Sequence, residues 1–246
     1  MENKNWGKKY MLVLWSITLV VIICGLIYNI GGFGLHLAHL SSTKLTSDDY
    51  TDFDFTSETF SSIDMDVAAA DIDINYGDAY MVSTNIKEKY LPTIEVKNDT
   101  LIIREKQTGR GVNSFNDDCK INIIVPKGTK LENVEIEADA GDIDVAELEG
   151  KKLIIEADAG DIDVMNVKFD STSISADAGD IDIIDSNTGR TTVGADMGDV
   201  TVEGRFEYLK ASCDLGSINV ESEDADYDNM DLDVELGSIE VNGKNW

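Results

Sequence analysis

Pairs of aspartates recur through the C-terminal half of the chain, and each pair encloses two residues of which the second is glycine. The pairs are Asp139 and Asp142, Asp158 and Asp161, Asp177 and Asp180, and Asp196 and Asp199. Carboxylate oxygens are the ligands that Ca²⁺ prefers, so two acids at one tight turn form a candidate calcium site. The pattern matches neither the EF-hand loop nor the nine-residue calcium-binding β-roll repeat. We therefore favour acids that hydrogen-bond the turn backbone and keep the surface soluble, and we retain calcium binding at these eight aspartates as the alternative.

These acids belong to a repeat of about 19 residues. The segment EADAGDIDV at 137–145 is followed by related segments at 156–164, 175–183, 194–202, 212–220 and 234–241. The central glycines are spaced 19, 19, 19, 18 and 21 residues apart and are Gly141, Gly160, Gly179, Gly198, Gly216 and Gly237. Such regular spacing indicates one structural unit per repeat.

Apolar and acidic residues alternate on both sides of each glycine. In the first unit, Val134 and Ile136 precede the glycine, and Ile143 and Val145 follow it. A period of two predicts a strand, a glycine corner and a second strand, each with one apolar face. Two short strands cannot bury that face alone, so the units should stack in parallel and in register. The sequence therefore predicts an all-β solenoid with regular rungs over 131–246.

Stacking turns equivalent positions into columns. Cys213 falls in an inward column of small residues, which predicts a packed side chain rather than a reactive thiol. A second predicted inward column comprises Ala140, Ala159, Ala178, Met197, Leu215 and Leu236. The acids form outward columns, in which neighbours about 4.8 Å apart repel by about 1 kcal/mol even in water. Splayed side chains, salt screening, raised pKa values or bound cations must relieve that repulsion.

Residues 56–130 show the same strand pattern with a weaker repeat, and we expect an irregular β part there. Residues 63–74 resemble a degenerate rung in which Ala68 to Ala70 replace the glycine corner. A hairpin should turn at Asn98-Asp99, and residues 105–118, rich in Gly, Asn and Ser, should form a long loop.

The N-terminal segment predicts a membrane anchor. Residues 10–30 carry no charge, and about 20 such residues suffice for a helix to cross hydrocarbon. Lysines precede this run, so residues 1–9 should be cytoplasmic and the large domain extracellular, after a juxtamembrane linker at 31–55. The run exceeds the apolar core of a signal peptide and no clear cleavage site follows, so we favour an uncleaved transmembrane helix over a cleaved signal.

The charge balance excludes some functions. The chain has 48 acidic and 20 basic residues, and a formal charge of −28 disfavours nucleic acid as a partner. Acid–base catalysis needs two carboxyls in different environments, whereas the repeat supplies copies in similar ones. We predict a protein that is not an enzyme and needs no cofactor, with a carbohydrate-cleaving β-helix enzyme as an alternative.

Three segments carry a family resemblance: the hairpin TIEVKNDTLIIREK, the strand and turn IIVPKGTKLENVEIEAD, and the AGDIDV rungs. Over about 60–246 they resemble the bacterial "putative adhesin" family of β-solenoid domains, which often follow a membrane segment. The resemblance implies a bacterial envelope protein, with some relatives linked to envelope stress, and brings no catalytic residues. The predicted function is a membrane-anchored extracellular structural or interaction module with a protein or cell-envelope partner. A calcium-binding surface protein using the stacked aspartates is the alternative.

The C-terminal end of the predicted solenoid is either capped or used for self-association. The last rung finishes at Val241, and only NGKNW follows it. An uncapped end exposes unpaired strand edges. Trp246 could cap that end, which we favour, or the end could join copies of the chain into a homo-oligomer.

Overall fold

The computed structural model describes residues 59–86, 91–104, 119–223 and 225–246. The predicted cytoplasmic segment, transmembrane helix and linker within 1–55 lie outside these residues, as does the whole predicted loop at 105–118. Within the described ranges, the structure contains no helix with the length and apolar character needed to cross a membrane.

The described residues form 19 strands in one continuous hydrogen-bonded sheet, which the corners fold into two faces. The first face contains β1 Ser62–Val67, β4 Thr93–Lys97, β5 Thr100–Arg104, β7 Lys130–Ala138, β9 Glu149–Ala159, β11 Lys168–Ala178, β13 Arg190–Met197, β15 Tyr208–Leu215 and β17 Met230–Leu236. The second face contains β2 Asp71–Gly77, β3 Met81–Thr84, β6 Lys120–Pro126, β8 Ile143–Ala146, β10 Ile162–Met165, β12 Ile181–Asn187, β14 Val200–Arg205, β16 Ile218–Glu221, β18 Ile239–Val241 and β19 Lys244–Asn245. A short 3₁₀ helix, Tyr227–Asn229, precedes β17.

The regular rungs stack as predicted. From β7 to β17 every strand of the first face pairs in parallel with its equivalent one repeat away, and β8 to β18 do the same on the second face. Ala157, Ala176, Ala195, Cys213 and Val234 consequently pair in one column. The predicted all-β solenoid is confirmed for the part of the chain that the structure describes.

The N-terminal strands enter the stack out of sequence order. Strands β1 and β2 form a rung that lies between β5/β6 on one side and β7/β8 on the other. The antiparallel strands β4 and β3 cover the outer edges of β5 and β6. The hairpin does turn at Asn98 and Asp99, both with positive φ, and Ala68 to Ala70 do replace the glycine at the corner between β1 and β2.

Most of the predicted inward columns are buried. Ile143, Ile162, Ile181, Val200 and Ile218 are all inaccessible to solvent, because each is covered by the rungs on both sides. Cys213 is also buried, in agreement with its predicted packing role, and burial raises the pKa of its thiol.

One predicted inward column is wrong. Ala159 and Leu236 are exposed, and Ala140, Ala178, Met197 and Leu215 are only half-buried. The glycine that follows each of these residues turns the chain, so the preceding side chain falls at the rim of the corner instead of between the two faces. Their backbones serve the corner, since the carbonyl groups of Ala159, Ala178 and Met197 accept the glycine N–H of the neighbouring rung.

Two threonines interrupt an otherwise apolar core column. Thr172 and Thr191 are buried between Leu153 and Leu209 in the register of the first face. The hydroxyl of Thr191 donates to the hydroxyl or the carbonyl of Thr188, at 2.7 and 3.2 Å. The Thr172 hydroxyl has no hydrogen-bond partner among the residues that the structure describes. Polar groups are costly to bury, so these two sites differ sharply in their effect on stability.

Candidate functional site

The glycine corners position the aspartates. The six predicted corner glycines have φ between +118° and +159°, a range that other residues rarely adopt. At Gly179 a side-chain Cβ would overlap the carbonyl oxygen of Gly160, and every other corner meets the corner of the preceding rung in the same way. Because the corners stack backbone on backbone, the residue after each glycine recurs at one fixed place on the surface.

The acid after each glycine forms a hydrogen-bonded ladder, which we call the corner ladder. Oδ1 of Asp142 accepts the backbone N–H of Asp161 at 3.0 Å, Asp161 accepts that of Asp180 at 2.9 Å, and Asp180 accepts that of Asp199 at 2.8 Å. The ladder continues at both ends: Asp71 accepts from Asp142, and Asp199 accepts from Ser217. Each carboxylate therefore joins two rungs by accepting a hydrogen bond from a backbone N–H group at the turn, outside the pairing between strands. The aspartates after the glycines thus hydrogen-bond the backbone of the turns, as the sequence predicts.

The acid before each glycine lies in a different column. Asp139, Asp158, Asp177 and Asp196 are exposed on the outer surface of the first face, in the register that continues to Asp214 and Glu235. Burial and the flanking carboxylates of Asp214 and Asp177 raise the pKa of Asp196. At Asp196, repulsion between stacked acids therefore adds to the larger effect of burial.

The two acids of each predicted pair therefore follow separate columns. Across the described ranges, no three or more His, Cys, Asp or Glu side chains are grouped so that they could hold a metal ion. In addition, one oxygen of each corner-ladder carboxylate already accepts a backbone hydrogen bond. Calcium binding at the eight candidate aspartates stays a prediction.

A third set of acids lies on the outer surface of the second face. Asp73, Asp144, Asp163 and Asp182 occupy successive positions of one column, which we call the second-face ladder. Burial, a carboxyl hydrogen bond with Asp73 and repulsion from Asp73 and Asp163 raise the pKa of Asp144 to about 6. Burial and the neighbouring Asp182 also raise the pKa of Asp163.

One cation offsets part of this charge. Lys120 Nζ lies 2.5 Å from Oδ2 of Asp73, and this ion pair raises the pKa of the lysine. Asp73 and Lys120 are members of this ladder that the repeat does not predict. Asp73 lies in the segment DIDI, which contains the DID sequence of the regular rungs. This similarity is a signal from which its place in the ladder could be predicted. Lys120 could not be found this way, because its strand joins the stack out of order.

A groove that the sequence analysis did not predict lies at the second corner of the C-terminal rungs. It has a volume of about 680 Å³, and four acids contribute to its wall: Asp185, Glu203, Glu221 and Glu223. Arg205 and Asn242 also line it. The side-chain amide of Asn242 makes two hydrogen bonds of 3.0 Å with the backbone of Ser222, so one wall is a structural part of the last turn. The spacing of the corners gave no signal for it, since these segments vary most between repeats.

The fold and its surface define a class of protein: a β-solenoid with stacked glycine corners and columns of acids on its outside. Within this class, the chain belongs to the family described as Toastrack DUF4097, whose profile matches residues 60–245. This family match confirms the predicted resemblance, and a putative adhesin is among the solved structures that are similar to the chain.

Two solved structures illustrate the likeness. A putative adhesin from Bacteroides fragilis aligns with a TM-score of 0.50 at 17% identity, covering 79% of this chain and 98% of its own. A putative lipid binding protein from Parabacteroides distasonis aligns with a TM-score of 0.47 at 18% identity, covering 79% and 97%. No curated protein sequence matches the chain significantly. At these identities the B. fragilis structure supports the fold alone.

Proposed function

We propose that the protein is a single-pass membrane protein whose extracellular β-solenoid is a non-enzymatic structural or interaction module of the bacterial cell surface. The main support for the proposal is that successive rungs present the same aspartate carboxylates in the same surroundings. The corner ladder repeats one hydrogen bond from rung to rung, which builds a rigid and uniformly acidic surface. A binding or spacing surface can use such repetition, whereas catalysis needs unlike groups at one place.

The carboxyl pair of Asp73 and Asp144 is the strongest candidate for an acid–base site, because the pKa of Asp144 is raised to about 6. The pair lies on the outer surface of a sheet, and Lys120 binds one of its oxygens. The groove of the C-terminal rungs is lined by other residues, so it does not enclose this pair. These placements favour an interaction role over a carbohydrate-cleaving one.

Membrane anchoring and topology are supported by the sequence of residues 1–30. The uncharged run at 10–30 has the length of a membrane span, and the preceding lysines favour a cytoplasmic N-terminus. The solenoid that begins near residue 60 then projects from the outer surface. An outer location also suits an acidic protein that must stay soluble near other envelope components.

The experiment is a topology test on the full-length chain with an epitope tag after Trp246, expressed in a bacterial host. We expect the protein in the membrane fraction, and we expect protease added to intact cells to remove the tag. A matched variant that lacks residues 10–30 should appear in the soluble fraction with its tag protected. A tag on the full-length chain that is cleaved only after lysis would refute the extracellular assignment.

A further inference from the structure

The two ends of the solenoid are closed differently. At the N-terminal end β3 and β4 cover the outermost rung, and the rings of Phe60 and Tyr80 pack with centroids 4.7 Å apart. At the C-terminal end β19 covers β18, and the N–H of Trp246 donates to the carbonyl of Ile239. On the first face β17 pairs with β15, and no strand among the described residues lies along its other edge. The predicted capping by the C-terminal segment is therefore found on the second face only.

The open edge exposes part of the core. Ala211 and Cys213 in β15 are each 1% exposed, whereas Leu232 and Val234, which pair with them in β17, are only half-buried. Leu236 at the end of β17 is 57% exposed. Because no described strand covers the inward columns here, the last rung has apolar surface that one further strand would bury.

The same edge is strongly acidic. Asp231, Asp233 and Glu235 alternate with the apolar residues of β17 and are all exposed. Lys210 Nζ lies 4.0 Å from Asp231, and within the described ranges no ion pair involves Asp233 or Glu235. Residues 218–246 contain nine acidic residues and one basic residue.

These features restrict what can cover the edge. A second copy that pairs its own β17 here would place acids opposite acids, and like charges across paired strands are destabilising. A second copy that presents β4 would bring Thr93, Glu95 and Lys97, which supply a single positive charge. A strand with lysine or arginine at alternate positions and apolar residues between them would complement both the acids and the exposed core.

We propose that the edge of β17, which no described strand covers, binds an extended, basic segment of another protein, which adds to the first face as a further strand. Backbone hydrogen bonds along the edge supply affinity, and the alternation of apolar and acidic side chains selects the sequence. The proposal rests on the interaction role proposed above and specifies the chemistry of the partner.

The probe is an eight-residue peptide of alternating lysine and valine, titrated into the full-length chain in detergent micelles at 150 mM salt. The control peptide has the same charge, with two central valines replaced by proline, so it cannot pair as a strand. We expect the first peptide to bind at least tenfold more tightly. Hydrogen exchange should slow at the amides of β17 and remain unchanged at those of β9 and β11.

Charge reversal in the protein localises the binding. Replacing Asp231, Asp233 and Glu235 by lysine should weaken binding of the first peptide at least tenfold. The control variant has the same net charge and carries lysine at Asp139, Asp158 and Asp177. It should bind within threefold of the wild type, because exposed charges more than about 8 Å away are largely screened at this salt concentration. Circular dichroism should show an unchanged β spectrum for both variants.

Three outcomes would overturn the proposal: equal affinity for the two peptides, equal loss in the two variants, or protection spread over all rungs. Light scattering that shows a dimer of the wild type, lost in the β17 variant, would assign the edge to a second copy instead. None of these results affects the topology test, so this proposal and the surface location can fail separately.

Discussion

The carboxyl of Asp144 allows a quantitative test of the stacked-acid surface. Its pKa is about 6 in the folded chain against 3.8 as the reference value. Because the folded-state value is raised, the folded state holds the proton more tightly than the unfolded state does. The stabilisation from that proton is complete below about pH 4 and is lost as the pH rises through 6. We therefore predict that Asp144→Asn stabilises the protein at pH 7.

The size of the effect follows from the shift. A difference of about 2 pH units corresponds to about 3 kcal/mol. Asp144 is partly exposed, so screening by water and salt should reduce the gain to roughly 1–2 kcal/mol at pH 7. At pH 5 the wild-type carboxyl is mostly protonated, and the advantage of the variant should shrink by roughly half.

The assay is urea denaturation of the full-length chain and its variant at pH 7, 6 and 5. Asp170→Asn, at an exposed aspartate outside the three columns, is the matched control and should change the free energy of unfolding by less than about 0.5 kcal/mol at each pH. An Asp144→Asn variant that is less stable at pH 7, or whose advantage is the same at pH 5, would refute the reasoning.

Three further predictions concern free energies of unfolding measured in urea at pH 7. Asp161→Asn keeps the Oδ1 acceptor and removes a charge, so it should be neutral or stabilising by up to about 1 kcal/mol. Asp161→Ala removes the acceptor and should lose roughly 1–2 kcal/mol of stability. Equal effects of the two variants would contradict the corner ladder. Gly179→Ala should lose at least about 2 kcal/mol, because its Cβ overlaps the Gly160 carbonyl oxygen at φ +144°, and a neutral result would refute the stacking of the corners. Thr172→Val should gain about 1 kcal/mol by removing an unpartnered buried hydroxyl, while Thr191→Val should lose about as much by breaking a hydrogen bond; a loss in both would contradict the assignment.

The regular rungs could be predicted because their contacts are between equivalent residues one repeat apart. The alternation of Ile143 and Val145 with acids defines the faces, and the 19-residue spacing defines the register. The sequence does not show where a strand ends and its corner begins, so Ala159 was assigned to the core although it lies at the rim. The alternation of apolar and polar residues shows the two-residue period of a strand. The residue at which the strand ends depends instead on how the backbone carbonyl groups accept hydrogen bonds from the next corner.

The sequence does not show that the pKa shift is largest at Asp144, because that shift depends on burial and then on Asp73, which lies 71 residues earlier in the chain. The two meet because β2 pairs with β8, and Lys120 joins them because β6 pairs with β2 from the other side. A nearest-neighbour repeat contains no information about this order. The candidate surface is thus predictable in its repeated part and unpredictable where the N-terminal strands insert.

The inserted rung has a mechanical consequence. Hydrogen bonds hold β1 on both of its edges, by β5 on one side and β7 on the other, and β1 is the first described strand from the N-terminus. When the chain is pulled from its N-terminus, the force acts along β1 and on the hydrogen bonds at both of its edges. These two sets of bonds must then break together in shear. At the opposite end β17 pairs only with β15 among the described strands, so a pull on β17 loads one set of bonds instead of two. We therefore expect β1 to resist tension along its length better than β17 does.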